Sequence, residues 1–593
     1  MSLLNKASLI MTPNAVKQSK VYSIIPTNGN GDLTFTRGTN ASATLSGANG
    51  LIELVPYNLL TFSEQFDNSI WQKTRCTIIA NSTNSPNLTL TADTLVGDSI
   101  AGENYVFVPQ NATIGVPNVL SVYIKPIDIT LVKLVSFTQA GQARFSLVGS
   151  GSVTFENGIC TNSTIESLPN GWYRISTKIT PTATASNNIG ISTSTLGIVG
   201  NCFYIWGAQL VQGSVPKDYF FTTDRLNVPR LNYDVAGGCP SLLLEPQRTN
   251  SLLNSVWSGS STSPTSWSLN GTGVSTLVTS IKNPNVGAYN FVSTAIARIF
   301  FFQTQTFTIN TTSCLSVYVE SASVPVQVQF ILAIINAVGT PTYFKNNVSI
   351  TATTNIEAGN TYSIVYAASA TTTISEVRVG LHNTGIVGNV TLSMPQLETG
   401  VSSIAAYNTS FIPTTTGAVT RNADVFLRNN IYTNGLITSA GGTWFIEINN
   451  NIILSRDAGT LEGLSIQTSS VSTSNGLAIR TLAGAASRLS IVKRILDIET
   501  TVYQTLSNTI KVVIKWDGSN LDAFVNGSKI HTSTFTAVIM DSFVAKTLDV
   551  PKYIKSTMLF PTPLTDTECI ALTSSNNYTS YENMALNLNY VIQ

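Results

Sequence analysis

Three tryptophans, Trp71, Trp257 and Trp267, stand near the starts of two related stretches of this sequence. An indole ring stacks well on the apolar face of a sugar, and the Asn and Gln that abound in the chain bond hydroxyls without adding charge. These three are the candidate glycan-binding residues, and each also has an ordinary reading as a ring packed inside a module. Trp172, Trp206, Trp444 and Trp516 fall within strand patterns and read as core.

Catalysis has less to draw on. The chain has two histidines, His382 and His531, placed far apart, and no HExxH, GxSxG or P-loop pattern. His531 follows an expected hairpin and reads as a strand-edge residue; His382, in GLHNTG, reads as a loop start. A glycan-cleaving enzyme needs only two carboxylates about 5–10 Å apart. The 31 Asp and Glu are spread along the chain, and spacing marks out no pair. No catalytic residue is assigned and no enzymatic activity is expected. The six cysteines, Cys76, Cys160, Cys202, Cys239, Cys314 and Cys569, show no CxxC spacing. They read as buried free thiols, with no zinc site, disulfide framework or cofactor implied.

The elements that would position these residues follow from composition and period. Charged residues make up 11% of the chain, against about 25% in ordinary soluble proteins, while the hydrophobic share is a normal 43%. Ser, Thr, Asn and Gly replace the charge, which suits many strands joined by polar turns. The net charge of +1 leaves no basic stripe for nucleic acid. Lys493-Arg494 reads as a solvated strand end. The longest apolar runs, such as Phe330 to Ala337, fall far short of the ~20 residues of a membrane helix, so no membrane insertion is expected. The first twenty residues have a Lys inside their one apolar cluster and no h-region, so assembly in a cytoplasm is expected.

Two stretches, Gly207 to Arg230 and Met394 to Val425, share an order: Gln-Leu, a Gly, an aromatic extended run, paired Thr, then Arg. Lead-ins recur as well, GLIELVPYNLL from Gly50 and PSLLLEPQRTNSLL from Pro240. Leu120–Ile124 matches Leu315–Val319, and Gly171–Ile175 is echoed at Asn360–Ile364. The order is kept at an offset between 187 and 195 residues, as a duplicated module with loop insertions requires. Trp71 corresponds either to Trp257 or to Trp267. LSVYIK and LSVYVE alternate with period two, and no helical stripe is sustained. The expected fold is all-β: tandem antiparallel β-sandwich (jelly-roll) domains with a small N-terminal docking segment. The expected divisions are an attachment segment over 1–50, a first jelly roll over 51–230, its repeat over 231–425, and a further sandwich over 426–593. In that last part, Asp517-Gly518 and Asn526-Gly527 signal hairpins, and the Thr565/Glu568 capping box predicts one short helix from Asp566 to about Leu572.

The linker TTDRLNVPRLNYDVAGGCPSLLLEPQRTN, Thr222 to Asn250, resembles one found in tail-fibre-like proteins of bacteriophages, especially those of gut Bacteroidetes. The opening LTFTRGTNASATLSGANG is of the same style, and TSFIPTTTGAVTRNAD is similar to the ending of carbohydrate-binding-module-like repeats in such proteins. WDGSNLDAFVNG and LFPTPLTDTECIALT resemble a laminin-G or concanavalin-like sandwich. Within that resemblance, a head or tail fibre of a crAss-like phage is the expected kind of protein. The resemblance implies a structural fibre protein of the virion, forming a homotrimer, docked to another virion protein through residues 1–50 and binding host or mucus glycans. The alternative is a capsular-polysaccharide depolymerase. Laminin-G-like sandwiches often hold calcium at a loop edge, for which Asp517 and Asp522 are possible ligands; the turn reading of Asp517 competes, and no metal site is assigned.

Overall fold

A computed structural model describes residues 3–574 apart from short internal stretches. The longest of these are 38–42, 195–198, 223–228, 234–239, 336–339, 402–407, 450–463, 483–487 and 547–551. The described chain is almost entirely antiparallel β-structure and divides into two compact units, 56–227 and a second made of 1–55 with 228–593.

Residues 56–227 form a jelly roll of two six-stranded sheets. One places Ala92–Gly97, Gly200–Gln212, Asn118–Pro126 and Tyr173–Ile179 side by side; the other places Tyr105–Ala112, Ala185–Thr193, Leu131–Ser136 and Gly141–Ser146 side by side. Alternating residues such as Leu120, Val122, Ile124, Val106 and Val108 fill the space between them. This is the expected consequence of period-two patterning, because successive side chains point to opposite faces.

The repeat has the same strand order. Gly287–Ser293, Gly388–Val401, Thr312–Ala322 and Asn360–Ala367 form one sheet; Ile299–Phe307, Thr372–Leu381 and Leu332–Ile335 form the core of the other. The Leu-Ser-Val-Tyr strands and the Gln-Leu strands sit in matched registers, but the Gly171–Ile175 echo is two residues out: Ile175 faces Val122, while Ile364 faces Leu315, the counterpart of Leu120. Leu120 faces Leu210 in the first jelly roll, and Leu315 faces Leu397 in the second.

The lead-in and the ending of each module are tied by one asparagine. Asn58 Oδ1 accepts the N–H groups of Leu60 (2.9 Å) and Leu210 (2.8 Å). Asn250 Oδ1 accepts those of Leu252 (3.2 Å) and Leu397 (3.1 Å). The first of the paired threonines finishes the clasp. Thr222 donates to the Leu60 carbonyl at 2.8 Å, and Thr414 to that of Leu252 at 2.6 Å. At the same offset, Phe62 and Asn254 both adopt left-handed φ, 52° and 47°. The Trp71 indole donates to the Phe62 carbonyl at 3.0 Å and the Trp267 indole to the Asn254 carbonyl at 3.2 Å, so Trp71 corresponds to Trp267.

The separate attachment segment expected over 1–50 is corrected by the sheet pairing. Leu9–Met11 pairs with Leu559–Thr557, and Leu33–Thr36 pairs with Val425–Leu427. Leu9, Met11, Val21, Leu33 and Phe35 are buried in the core of the C-terminal sandwich, with Trp444 and Trp516. The start of the expected 231–425 module also joins that sandwich: Leu242–Leu244 pairs with Ile554–Lys552. A segment too short to bury its own apolar residues has used the nearest incomplete sheets. The C-terminal sandwich thus draws strands from three separated parts of the sequence. Both hairpins form at their signals, and the helix spans Asp566–Thr573 with both arms of its capping box in place.

The two endings meet at a buried ion cluster in the second unit. Arg230 and Arg421, the arginines that close the two repeated stretches, both reach Glu245 Oε2, at 2.5 and 3.1 Å. Asp424 binds Arg230 and Arg37, and its Oδ2 accepts the Glu245 N–H at 2.9 Å. Burial opposes the charge on Glu245, but Arg421 and Arg230 with two bonds from Ser410 hold its carboxyl down to about 2.

Candidate functional site: an aromatic face on the first jelly roll

Tyr105 and Phe107 are two residues apart on one strand, so both point away from the core that Val106 and Val108 enter. Phe137, just beyond Leu131–Ser136, reaches the same outer face. The three half-buried rings form one patch: Tyr105–Phe137 centroids are 4.6 Å apart, Tyr105–Phe107 5.8 Å and Phe107–Phe137 5.9 Å. Gly190 lies opposite Phe107 on the strand between them. A Cβ there would stand 2.8 Å from Phe107 Cβ and 2.9 Å from Phe137 Cε2, so the missing side chain is what lets the rings close over the sheet. The Arg75 guanidinium covers one edge, 5.7 Å from the Tyr105 ring centre, and is anchored on the Glu103 carbonyl at 2.9 Å. Glu103 itself pairs with Lys133. The arrangement offers a ring-lined surface edged by one guanidinium, with fixed polar neighbours, suited to stacking and hydrogen bonding.

The second jelly roll repeats the motif and closes it. Phe300 lies opposite Gly380, as Phe107 lies opposite Gly190. Here Arg378 (4.8 Å) and Arg298 (5.6 Å) lie over the Phe300 ring, which is fully buried. His382 meets the same ring edge-on, and burial together with Arg378 pushes its imidazole down to about 4. That histidine is neutral near pH 7 and packs as a structural residue. His531 lies on the edge strand Ser528–Thr534.

The tryptophans singled out from the sequence are corrected. Trp71, Trp257 and Trp267 are 1%, 0% and 6% exposed and belong to the two jelly-roll cores, so no ring face is open to a ligand. Trp172 and Trp206 are buried, but in a small aromatic cluster outside the main core. Arg494 is buried as well, unlike the solvated strand end expected there. Sequence reading missed Tyr105, Phe107 and Phe137. The signal was present in YVFV, a strand apolar on both faces, but nothing local says which face points outwards.

Asp517 accepts the N–H groups of Ser519 (3.0 Å) and Asn520 (2.7 Å), which is the work of a hairpin turn. Asp522 is engaged by Thr532 (2.7 Å) and Lys529 (3.1 Å). Among the described residues no cluster of three or more His, Cys, Asp or Glu has a metal-binding arrangement, and no helix is long and apolar enough to cross a membrane. The described cysteines are free and buried; Cys239 lies outside the described residues. Asp93 is a carboxyl that burial pushes up to about 6, yet both its oxygens accept backbone N–H groups, from Phe66 and Asn81, each at 2.9 Å.

No protein-family model and no curated protein matches the chain. Among solved structures, it is similar to the N-terminal CBM22-1-CBM22-2 tandem domain of Xyn10C from Paenibacillus barcinonensis. The identity is 11% and the TM-score 0.19, over 66% of this chain and 99% of that one.

Proposed function

We propose that this is a display protein of a bacteriophage particle whose jelly-roll modules bind host or mucus glycans weakly, with affinity gained by oligomerisation. The observation that carries the glycan-binding part is the outward patch of Tyr105, Phe107 and Phe137, three rings in mutual contact on an outer sheet face. Such rings stack on the C–H faces of sugars, and half-exposed aromatics in contact are costly to leave in water without a partner. The low charge of the chain, 11%, favours neutral ligands over phosphate or acidic peptides. The particle assignment rests on the linker and repeat endings that resemble phage fibre proteins. Copies presented together on a homotrimer would multiply weak single contacts.

A binding role without catalysis fits this face better than a depolymerase. Hydrolysis needs two carboxylates with separate acid and base tasks. The carboxylate beside the rings, Glu103, is committed to Lys133. The N-terminal segment is woven into the C-terminal sandwich, so its apolar residues are not a free docking surface. The reading is tested by probing a glycan array with the intact oligomer and by mass spectrometry of purified virions. Binding to a set of neutral glycans, with the protein present in the particles, is expected. Silence on the array removes the glycan role, and absence from virions removes the particle role.

A further inference from the structure

The sheet that carries the aromatic face is wider in the first jelly roll than in the second. Among the described residues, its counterpart in the repeat ends at Leu332–Ile335. In the first jelly roll the strand in that place, Leu131–Ser136, goes on to pair with Gly141–Ser146, and that strand with Ser152–Asn157. The added hairpin thus widens the sheet whose ring patch is open, and not the one where Arg378 and Arg298 close over Phe300.

Paired residues on neighbouring strands share a face, so the register says what the added strands contribute. Phe155 lies opposite Arg144, Arg144 opposite Lys133, Lys133 opposite Ser192, and Ser192 opposite Tyr105. All five belong to the outer face, in one row across five strands. At a strand spacing of about 4.8 Å, the row from Phe155 to Tyr105 is about 19 Å long. Its middle is already engaged: Glu103 holds Lys133, and Ser192 is buried. Its far end is open. Phe155 is 42% exposed, and the Arg144 guanidinium lies 5.1 Å from its ring centre. Half-buried Arg144 has no carboxylate partner among the described residues. Only the Nε of its guanidinium is enclosed without an acceptor, so the two terminal nitrogens are the ones a ligand can reach. The face therefore has two platforms, the three-ring patch at one end of the row and the Phe155–Arg144 pair at the other.

We infer that this face takes a linear chain of several neutral pyranose residues laid across the strands. One stretch of the chain stacks on Tyr105 and Phe137. Another rests on Phe155, where the terminal N–H groups of Arg144 donate to hydroxyl or ring oxygens. The inference rests on the glycan-binding reading of the aromatic face and adds the length and direction of the ligand. A mono- or disaccharide is too short to touch both platforms.

The test is titration calorimetry of the full chain with unbranched malto-, cello-, manno- and chito-oligosaccharides, each from dimer to hexamer. In at least one series the hexamer is expected to bind at least ~10-fold more tightly than the dimer, because a second stacked ring and a charged donor both contribute. Phe155→Ala and, separately, Arg144→Gln are each expected to lower that ratio at least ~3-fold. Phe155 stands on an edge strand exposed along its length, so its variant is expected to fold, which the melting temperature checks. A hexamer-to-dimer ratio near one in every series, or a ratio that survives Phe155→Ala, overturns this inference, while array hits that depend on Tyr105 keep the broader reading. Binding confined to oligogalacturonates, titrated as an acidic series, overturns the neutral ligand. No heat with any series overturns the inference whatever the array shows, and a silent array removes the glycan role with it.

Discussion

Arg37 Nε donates to Asp424 Oδ1 at 2.7 Å, joining two fully buried side chains 387 residues apart in sequence. Asp424 also holds Arg230, so one carboxylate fastens the N-terminal segment and the exit of the first repeat to the exit of the second. Burial works against the Arg37 cation and lowers it to about 10, yet Asp424 keeps it charged at neutral pH. Asp424→Ala leaves two buried guanidiniums short of a counterion, and breaking a buried pair from one side costs about 3–5 kcal/mol. Denaturant melting should show a loss of that size. A loss under 1 kcal/mol would mean that the cluster does not hold the unit together.

The asparagine clasp is expected to matter equally in the two jelly rolls. Asn250→Ala strips an acceptor from the Leu252 and Leu397 N–H groups, and Asn58→Ala does the same to Leu60 and Leu210. With about 1–3 kcal/mol for each of the two buried donors left unpaired, each substitution should destabilise its module by about 2–6 kcal/mol. Hydrogen exchange reads this locally: protection should fall at Leu397 in the first variant and at Leu210 in the second.

Asp93 gives a pH dependence of definite sign. Burial, only partly offset by the Asn81 and Phe66 N–H groups, raises its carboxyl from 3.8 to about 6. Between those values the folded chain keeps a proton that the unfolded chain has released. The group's stabilising contribution is therefore present below about pH 4 and is lost as pH rises through about 6. At 1.36 kcal/mol per pH unit this amounts to about 3 kcal/mol. Calorimetry across that range should show the wild-type chain losing stability relative to Asp93→Asn. Parallel curves would show that this carboxyl titrates normally.

On the aromatic face, Tyr105→Ala and Phe137→Ala each remove a ring that touches its neighbour and one stacking surface. A stacked aromatic contact of about 0.5–1.5 kcal/mol per site predicts a roughly 2- to 13-fold loss per copy. Avidity should enlarge that loss on the array. Both rings are half-buried on an outer face, so melting temperature should change far less than binding.

Much of the architecture was legible in the chain because its causes are local. Alternation in LSVYIK and LSVYVE marks strands, Asp517-Gly518 and Asn526-Gly527 mark hairpins, and Thr565 with Glu568 marks the one α-helix among the described residues. The duplicated order of Gln-Leu, paired Thr and Arg marks a repeat whose two copies share registers. The candidate site was not legible. Indoles were favoured for their chemistry, but Trp71, Trp257 and Trp267 are large apolar rings at positions the sandwich encloses.

By itself the sequence determined an all-β chain with a repeated module, since residue type, period and turn chemistry act over a few residues at a time. Only the tertiary structure decided that residues 9–36 complete a sandwich begun after residue 425, because strand pairing over such a distance leaves no local mark. It alone decided that Arg37, Arg230, Arg421, Glu245 and Asp424 share one buried cluster. It also decided which face of YVFV is turned outwards, a choice made by the opposing sheet and by the missing side chain at Gly190.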